Sequence, residues 1–328
     1  MTKVEGAGAP TVSVVIPAYN EENAIDACLD SIAAQTYPKI VEVLVVDGRS
    51  TDATRARVEA RGDAKVLDNP RKMQAAALNI GIAAAEGDLV CRVDAHCTLD
   101  PDYVERCVAV LEETGAAMVG GPMRAVGSDT VSRGIARAMT FPLGAGPASF
   151  RAGTVRGWTD ITYLGTFHRH LADQVGGFEE NVGVNEDGEF AHKMSGVGGV
   201  FLDPAITAWY TPRASVPKVA KQYFRYGLSR SATVRRHPRS WKPRQMVAPA
   251  LVLGLLSPWR RKVAAAYLLL LGGVGAAQVK DGAPPAEAAS MVGAVAAMHV
   301  PWGLGFLVGM LTGRKPMPQV ETEPEATA

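Results

Sequence analysis

Within the first hundred residues, four short apolar runs each stop abruptly at a polar cluster. Val12–Ile16 gives way to Pro17-Ala18-Tyr19-Asn20-Glu21, and Val41–Val46 to Asp47. Lys65–Leu67 is followed by Asn69-Pro70-Arg71-Lys72, and Leu89–Val93 by Asp94-Ala95-His96. Runs this short, rich in β-branched residues, read as strands buried on both faces. The stretches between them read as helices. Ile25, Cys28, Leu29 and Ile32 recur at helical spacing, Thr51-Asp52 caps a helix to about Arg61, and Met73–Ala85 is Ala-rich. The pattern continues with a helix over Pro101–Glu113, Asp100 serving as N-cap, and a strand over Ala117–Gly120. Strands alternating with helices across short loops predict a doubly wound, mostly parallel, Rossmann-like α/β sheet. Ligands collect at the carboxyl ends of strands in such a sheet, so the four polar clusters would line one crevice.

The crevice lacks the usual phosphate cradles. No G-x-G-x-x-G follows the first strand and no G-x-x-x-x-G-K-[ST] occurs anywhere, which sets aside the dinucleotide dehydrogenases and P-loop enzymes. A pyrophosphate held here would need a metal ion and cationic side chains, which Asp94, His96, Arg71 and Lys72 could supply. Asp94 and His96 lie two residues apart, hence on one side of an extended segment, and could share a divalent cation. Four cysteines with no C-x-x-C spacing argue against a zinc ribbon, and a net charge of +1 gives no global pull toward nucleic acid.

Beyond Gly121 the alternation breaks down. Gly127–Arg137 reads as helical, Thr162–Phe167 as extended, and Phe201–Asp203 and Ala208–Tyr210 as two short strands. Glu186, Asp187 and Glu189 open a short helix, a placement that favours carboxylates in any case. From Lys218 to Arg236 a basic, aromatic helix carries Gln222, Arg225 and Tyr226 on one face.

The C-terminal third is different in kind. Residues 263–279 form an uncharged apolar run, and 288–311 form a longer one broken by His299 and Pro301. Each approaches the ~20 residues a helix needs to cross a bilayer, and a short polar turn separates them, which predicts a transmembrane helical hairpin. Arg260-Arg261-Lys262 and Arg314-Lys315 flank it, so by the positive-inside rule the preceding domain faces the cytoplasm. Residues 246–259 are too short to span and read as an interfacial helix. A buried helical subdomain is the weaker alternative. The organisation expected is a flexible N-terminus (1–10), a catalytic domain (11–242), a membrane-associated region (243–311) and a disordered tail (312–328).

Eight segments appear in an order that resembles the family 2 glycosyltransferases with a GT-A fold: VSVVIPAYNEE, VEVLVVDGRSTD, the Asn69–Ala85 stretch with its following EGD, RVDAH, GGPM, YLGTFHR, GGFEENVGVNEDGEF and QYFRYG. Within that family the chain is most similar to the membrane-attached group that builds succinoglycan-type polysaccharides. The resemblance covers about Val12–Arg236. It implies a nucleotide-sugar donor, with a UDP-sugar expected, held by Pro17, Ala18, Tyr19, Asn20, Glu21, Asp47, Lys72 and Asp94. Asp94-Ala95-His96 matches the family's D-x-D metal motif with His in place of the last carboxylate. A Mn²⁺ or Mg²⁺ ion is implied, with Mn²⁺ favoured by the imidazole. Asp187 falls where the catalytic base lies, with Glu186 beside it. Gln222, Arg225 and Tyr226 resemble a Q-x-x-R-W motif, here ending in Tyr, that grips acceptor or diphosphate.

The resemblance implies inverting transfer to a lipid-linked glycan at the cytoplasmic membrane face, in polysaccharide or cell-envelope synthesis. Two alternatives stay open: a polyprenyl-phosphate glycosyl synthase, and a non-catalytic membrane-anchored scaffold that binds nucleotide sugars.

Overall fold

The structure is a computed structural model describing residues 8–145, 155–180, 186–212, 215–236, 238 and 243–314. Most of the expected N-terminal extension and residues 315–328 of the expected tail lie outside that set. The first half follows the predicted alternation: β1 (Val12–Ala18), α1 (Ile25–Ala33), β2 (Ile40–Asp47), α2 (Thr54–Arg61), β3 (Lys65–Asp68), α3 (Gln74–Ala84) and β4 (Leu89–Arg92). After β5 (Cys97–Leu99) come α4 (Tyr103–Thr114), β6 (Met118–Gly121), β7 (Met123–Ala125), α5 (Thr130–Thr140) and α6 (Pro142–Ala145). The remaining catalytic elements are β8 (Gly157–Thr159), β9 (Tyr163–His168), α7 (Arg169–Gln174), α8 (Glu186–Ser195), β10 (Val200–Leu202), β11 (Ala208–Tyr210) and α9 (Val216–Arg236). The chain ends in α10 (Val247–Leu256), α11 (Arg260–Lys280) and α12 (Pro285–Thr312).

The main sheet has eight strands in the order β3-β2-β1-β4-β9-β6-β10-β8. The β3-β2-β1-β4 half is parallel throughout. Beyond β4 the sheet is mixed: β9 pairs antiparallel with both β4 and β6, β6 with β10 is parallel, and β8 closes the edge antiparallel to β10. A separate three-stranded sheet, β5-β11-β7, caps the end that follows β4.

Alternation along β1 explains the layering. Val12, Val14 and Ile16 face one core with Ile25, Leu29 and Ile32 of α1, while Val15 faces the other with Ala75, Leu78 and Ile82 of α3. Gly81 lets α3 approach that second face closely. A Cβ there would lie 2.2 Å from Val15 Cγ1.

The predicted cap of α4 is displaced. Asp100 is not the N-cap: Pro101 and Asp102 form a turn, the helix starts at Tyr103, and Asp102 occupies the cap position. The Asp100 carboxylate instead accepts a 2.6 Å hydrogen bond from Trp209 Nε1 of β11. A partner on the second sheet has displaced the local helix signal. The helix expected over Gly127–Arg137 starts later, at Thr130, where Asp129 makes a reciprocal capping box with Ser132.

At the C-terminus the two apolar runs are the helices α11 and α12, both long and apolar enough to cross a membrane, and they form a helical hairpin. The 246–259 segment contains α10.

Candidate active site

Parallel register builds the site's floor. Ala18 pairs with Asp47, and Asp47 with Asp68, so the ends of β1, β2 and β3 finish level. Past those ends lies an open cleft whose lining includes Pro17, Ala18, Tyr19, Glu21, Lys72, Asp94 and His96. Seven residues expected from the sequence to bind donor or metal thus meet in one place. Asn69, Gln74 and Gly48 complete much of its polar wall.

Two of the expected donor residues, Asn20 and Asp47, organise the loops beneath. Asp47 is buried and accepts from Ser50 Oγ at 2.6 Å and from the Ser50 N–H. Asn20, in the left-handed region at φ 54°, donates its N–H to Ser50 Oγ and accepts from the Thr51 N–H at 2.8 Å. These bonds lock the loop after β1 to the loop after β2. Lys72 stands over the Tyr19 ring, 5.6 Å from its centroid, with its cation facing the cleft. Arg71 does not join it. Its guanidinium pairs with Glu180, whose other oxygen accepts from Asn79 of α3.

One functional side chain escaped the sequence reading. Arg92, the last residue of β4, is almost wholly buried and binds two carboxylates at once. Its Nε and Nη2 donate to Asp94 Oδ1 at 3.1 and 2.9 Å, and its Nη1 pairs with Asp187 Oδ1 at the start of α8. The two carboxylates drive Arg92 well above the usual guanidinium range despite the opposing desolvation. The signal was a single charge inside an otherwise apolar strand.

Glu186 and Asp187 take opposite environments. The Glu186 side chain is buried, and burial pushes its carboxyl up to about 8, with Asp187 adding to the shift and Arg92 opposing it. The Asp187 side chain is 44% exposed, so of the two expected catalytic carboxylates it is the one open to an incoming molecule.

The residues around Asp94 fit a divalent ion. Among the described residues, the hydrogen bonds to its carboxylate come from Arg92 and Gln74 and fall on Oδ1. His96 Nδ1 lies 3.0 Å from Glu21 Oε1, a carboxylate behind the ring of the kind that orients metal-bound imidazoles. Cys97 adds a sulfur: ligand atoms of Asp94, His96 and Cys97 all lie within 4.8 Å of one another. Cys97 is buried away from the cleft lining, however, and its Sγ is engaged 2.6 Å from Tyr163 Oη. The oxygen and nitrogen donors of Asp94 and His96 remain, a set that suits Mn²⁺ or Mg²⁺.

Gln222, Arg225 and Tyr226 do not line the cleft. They share one face of α9, where Gln222 Nε2 donates to Tyr226 Oη at 2.8 Å.

Comparisons with known proteins show the family and the fold. Residues 13–176 match the family described as Glycosyl transferase family 2. The succinoglycan biosynthesis protein ExoA of Rhizobium meliloti is 33% identical over 320 residues, covering 92% of this chain and 96% of that one. A dolichyl N-acetyl-α-D-glucosaminyl phosphate 3-β-D-2,3-diacetamido-2,3-dideoxy-β-D-glucuronosyltransferase of Methanococcus voltae is 27% identical, covering 69% of this chain and 74% of its own. Among solved structures, the mannosyltransferase PcManGT of Pyrobaculum calidifontis, in complex with GDP-mannose and Mn²⁺, superposes with a TM-score of 0.60. It is 23% identical and the match covers 94% of this chain and 88% of that one. S. aureus TarS with UDP-GlcNAc gives a TM-score of 0.53 at 17% identity, covering 91% of each chain.

Proposed function

Because the chain belongs to glycosyl transferase family 2, we propose that it moves a sugar, with inversion, from a nucleoside-diphosphate sugar to the hydroxyl of a lipid-linked glycan at the cytoplasmic membrane face. The observation that carries this reading is the Asp94–Arg92–Asp187 chain of ion pairs. It sets a half-exposed carboxylate beside the end of a cleft lined by the donor-binding segment.

Pro17, Ala18 and Tyr19 would pack against the nucleoside, with the locked Asn20–Ser50 turn holding that wall rigid. Lys72 would offset diphosphate charge. Asp94, with His96 held by Glu21, would bind a divalent ion, which when bound neutralises charge building on the leaving diphosphate. Asp187 would accept the acceptor hydroxyl's proton as its oxygen attacks the anomeric carbon. The bond to the diphosphate breaks on the opposite side, so an α-linked donor yields a β-linked product. Burial of Glu186 disfavours a second negative charge next to the base. Gln222 and Arg225, outside the donor cleft, would grip the acceptor, and a guanidinium fork suits any phosphate that it carries.

Two features support a lipid-linked acceptor: the apolar C-terminal hairpin, and the dolichyl-phosphate substrate in the Methanococcus voltae relative's name. An exposed Asp187 favours a hydroxyl acceptor over a lipid phosphate, which needs no base. The test is Asp187→Asn. Donor binding should persist while transfer falls by ~10²–10⁴-fold, the usual contribution of a general base. A donor panel on membranes, followed by analysis of the radiolabelled lipid product, identifies sugar and acceptor. Undiminished transfer by Asp187→Asn would assign the phosphate-acceptor reaction instead, and no donor turnover across the panel would leave a binding scaffold.

A further inference from the structure

We propose that the C-terminal hairpin lies flat on one leaflet of an anionic bilayer, seated on the catalytic domain, and does not thread through the membrane. The inference rests on the membrane attachment proposed above and specifies its geometry.

Helix α12 is fastened to the catalytic body at both ends and in the middle. Near its start, Glu287 is buried and pairs with Arg133 and Arg137 of α5. In its middle, His299 Nε2 lies 2.6 Å from the Leu143 carbonyl of α6. At its end, Arg235 of α9 donates to the Gly313 carbonyl at 3.1 Å.

The contact with α9 is closer still. A Cβ on Gly227 would meet the Trp302 carbonyl oxygen at 2.1 Å, and one on Gly305 the Phe224 carbonyl oxygen at 2.1 Å. Further along, Gly309 abuts Ser231 and Gly313 abuts Arg235. Numbering rises together on both helices, so α9 and α12 run side by side and parallel over most of α9.

That neighbour decides the orientation. Helix α9 carries Lys218, Lys221, Arg235 and Arg236, all exposed. Were α12 to cross the hydrocarbon, this cationic row would have to enter with it, and charged side chains are strongly disfavoured there. The small-residue contact that would otherwise suit two membrane helices here joins one apolar helix to one basic helix.

Helix α11 continues the layer outward. It runs antiparallel to α12, with Gly275 against Val292 and Tyr267 Oη 2.9 Å from His299 Nδ1. Only 6% of its apolar window is buried, whereas 39% of that of α12 is. The side of α11 away from α12 is therefore a broad apolar face, continued by Leu256 and Trp259 at 74% exposure each. A soluble surface rarely leaves such a patch bare. Arg260, Arg261 and Lys262, all exposed, stand at its edge. An apolar face bordered by cations complements the acyl region and anionic headgroups of a single leaflet.

Single-cysteine labelling of the full chain separates the two arrangements. Cys28, Cys91, Cys97 and Cys107 are all buried, so the background is low. Asp281→Cys reports on the hairpin turn and Ala60→Cys, exposed on α2, on the catalytic domain. With a membrane-impermeant maleimide, both are expected to react from the same side, in inverted vesicles and not in intact cells. Labelling of Asp281→Cys from the side opposite Ala60→Cys would overturn the flat seat while leaving membrane attachment intact.

A second measurement uses vesicles of phosphatidylcholine and phosphatidylglycerol. Replacing Arg260, Arg261 and Lys262 by Glu should weaken vesicle binding by at least ~5-fold per charge, with turnover of a water-soluble acceptor analogue retained. Undiminished vesicle binding overturns the proposed seat. Failure of the unaltered chain to bind vesicles at all overturns attachment itself, whereas loss of donor turnover would bear on the catalytic reading alone.

Discussion

From the buried end of β4, Arg92 joins Asp94, two residues on, to Asp187, 95 residues away in sequence. One guanidinium thereby couples the carboxylate next to the expected metal position to the carboxylate expected to act as base. The fork geometry matters, because Nε and Nη2 serve one partner while Nη1 serves the other. Arg92→Met should therefore both destabilise the protein and disable it. Removing one partner of a buried ion pair costs about 3–5 kcal/mol, and the exposure of Asp187 puts the expected loss near about 3 kcal/mol. Arg92→Lys should rescue little, since a single ammonium cannot satisfy both carboxylates in this arrangement. Denaturant titration and donor-binding calorimetry on the two variants check this; native stability with full transfer in Arg92→Met would contradict it.

The buried Glu186 predicts a pH dependence of stability. Burial pushes its carboxyl up to about 8 from an ordinary value of 4.5. Between those values the folded state holds a proton that the unfolded state has released. Stability from this group is thus fully present below about pH 4.5 and declines as pH rises toward 8. Glu186→Gln fixes the neutral form and should flatten that part of the profile. Melting temperatures of both proteins across pH 5 to 9 provide the check, with parallel curves counting against a raised Glu186.

Much of this was legible beforehand, and the misses have a common cause. Strands β1 to β4 announce themselves as apolar runs, and their polar ends converge because parallel register brings Ala18, Asp47 and Asp68 level. Strand β9 reads as extended, but its antiparallel insertion between β4 and β6 depends on partners far away in sequence. Strands β5, β7 and β8 are three residues each and are defined by partners distant in sequence. Asp100 looks like a helix cap until Trp209 of β11 claims it. Arg92 looks like an interruption of an apolar strand until Asp187 arrives from α8. In each case, a local pattern was overruled by a polar or strand partner supplied from elsewhere in the chain.

Close packing between α3 and the sheet gives a third prediction. Gly81→Ala gains about 1 kcal/mol of helix propensity, but its Cβ would press on Val15 Cγ1 at 2.2 Å. Overpacking of this kind costs about 1–3 kcal/mol, so a net loss of about 1 kcal/mol is expected. Val15→Ala opens the same space. The double variant should therefore be more stable than the sum of the two single changes predicts, by at least about 0.5 kcal/mol. Denaturation of all four proteins tests the coupling, and strict additivity would mean that the helix relaxes away from β1.

The metal position yields the last prediction. Asp94-Ala95-His96 offers one carboxylate and one imidazole, and imidazole is better tolerated by Mn²⁺ than by Mg²⁺. Glu21 behind His96 should strengthen that preference by orienting the ring. His96→Asp replaces nitrogen by oxygen, so the ratio of Mn²⁺- to Mg²⁺-supported donor binding should fall by several-fold. In the same variant Glu21 would face a second carboxylate, and Glu21→Gln should then recover affinity for either ion. Asp94→Ala should abolish metal-dependent donor binding altogether, because its carboxylate is the one charged oxygen ligand of the pair. Calorimetry of a nucleoside diphosphate with each ion, before and after chelation, reads all three effects. An unchanged ion preference in His96→Asp would remove the imidazole from the coordination sphere and leave it to Glu21 as a loop-fixing contact.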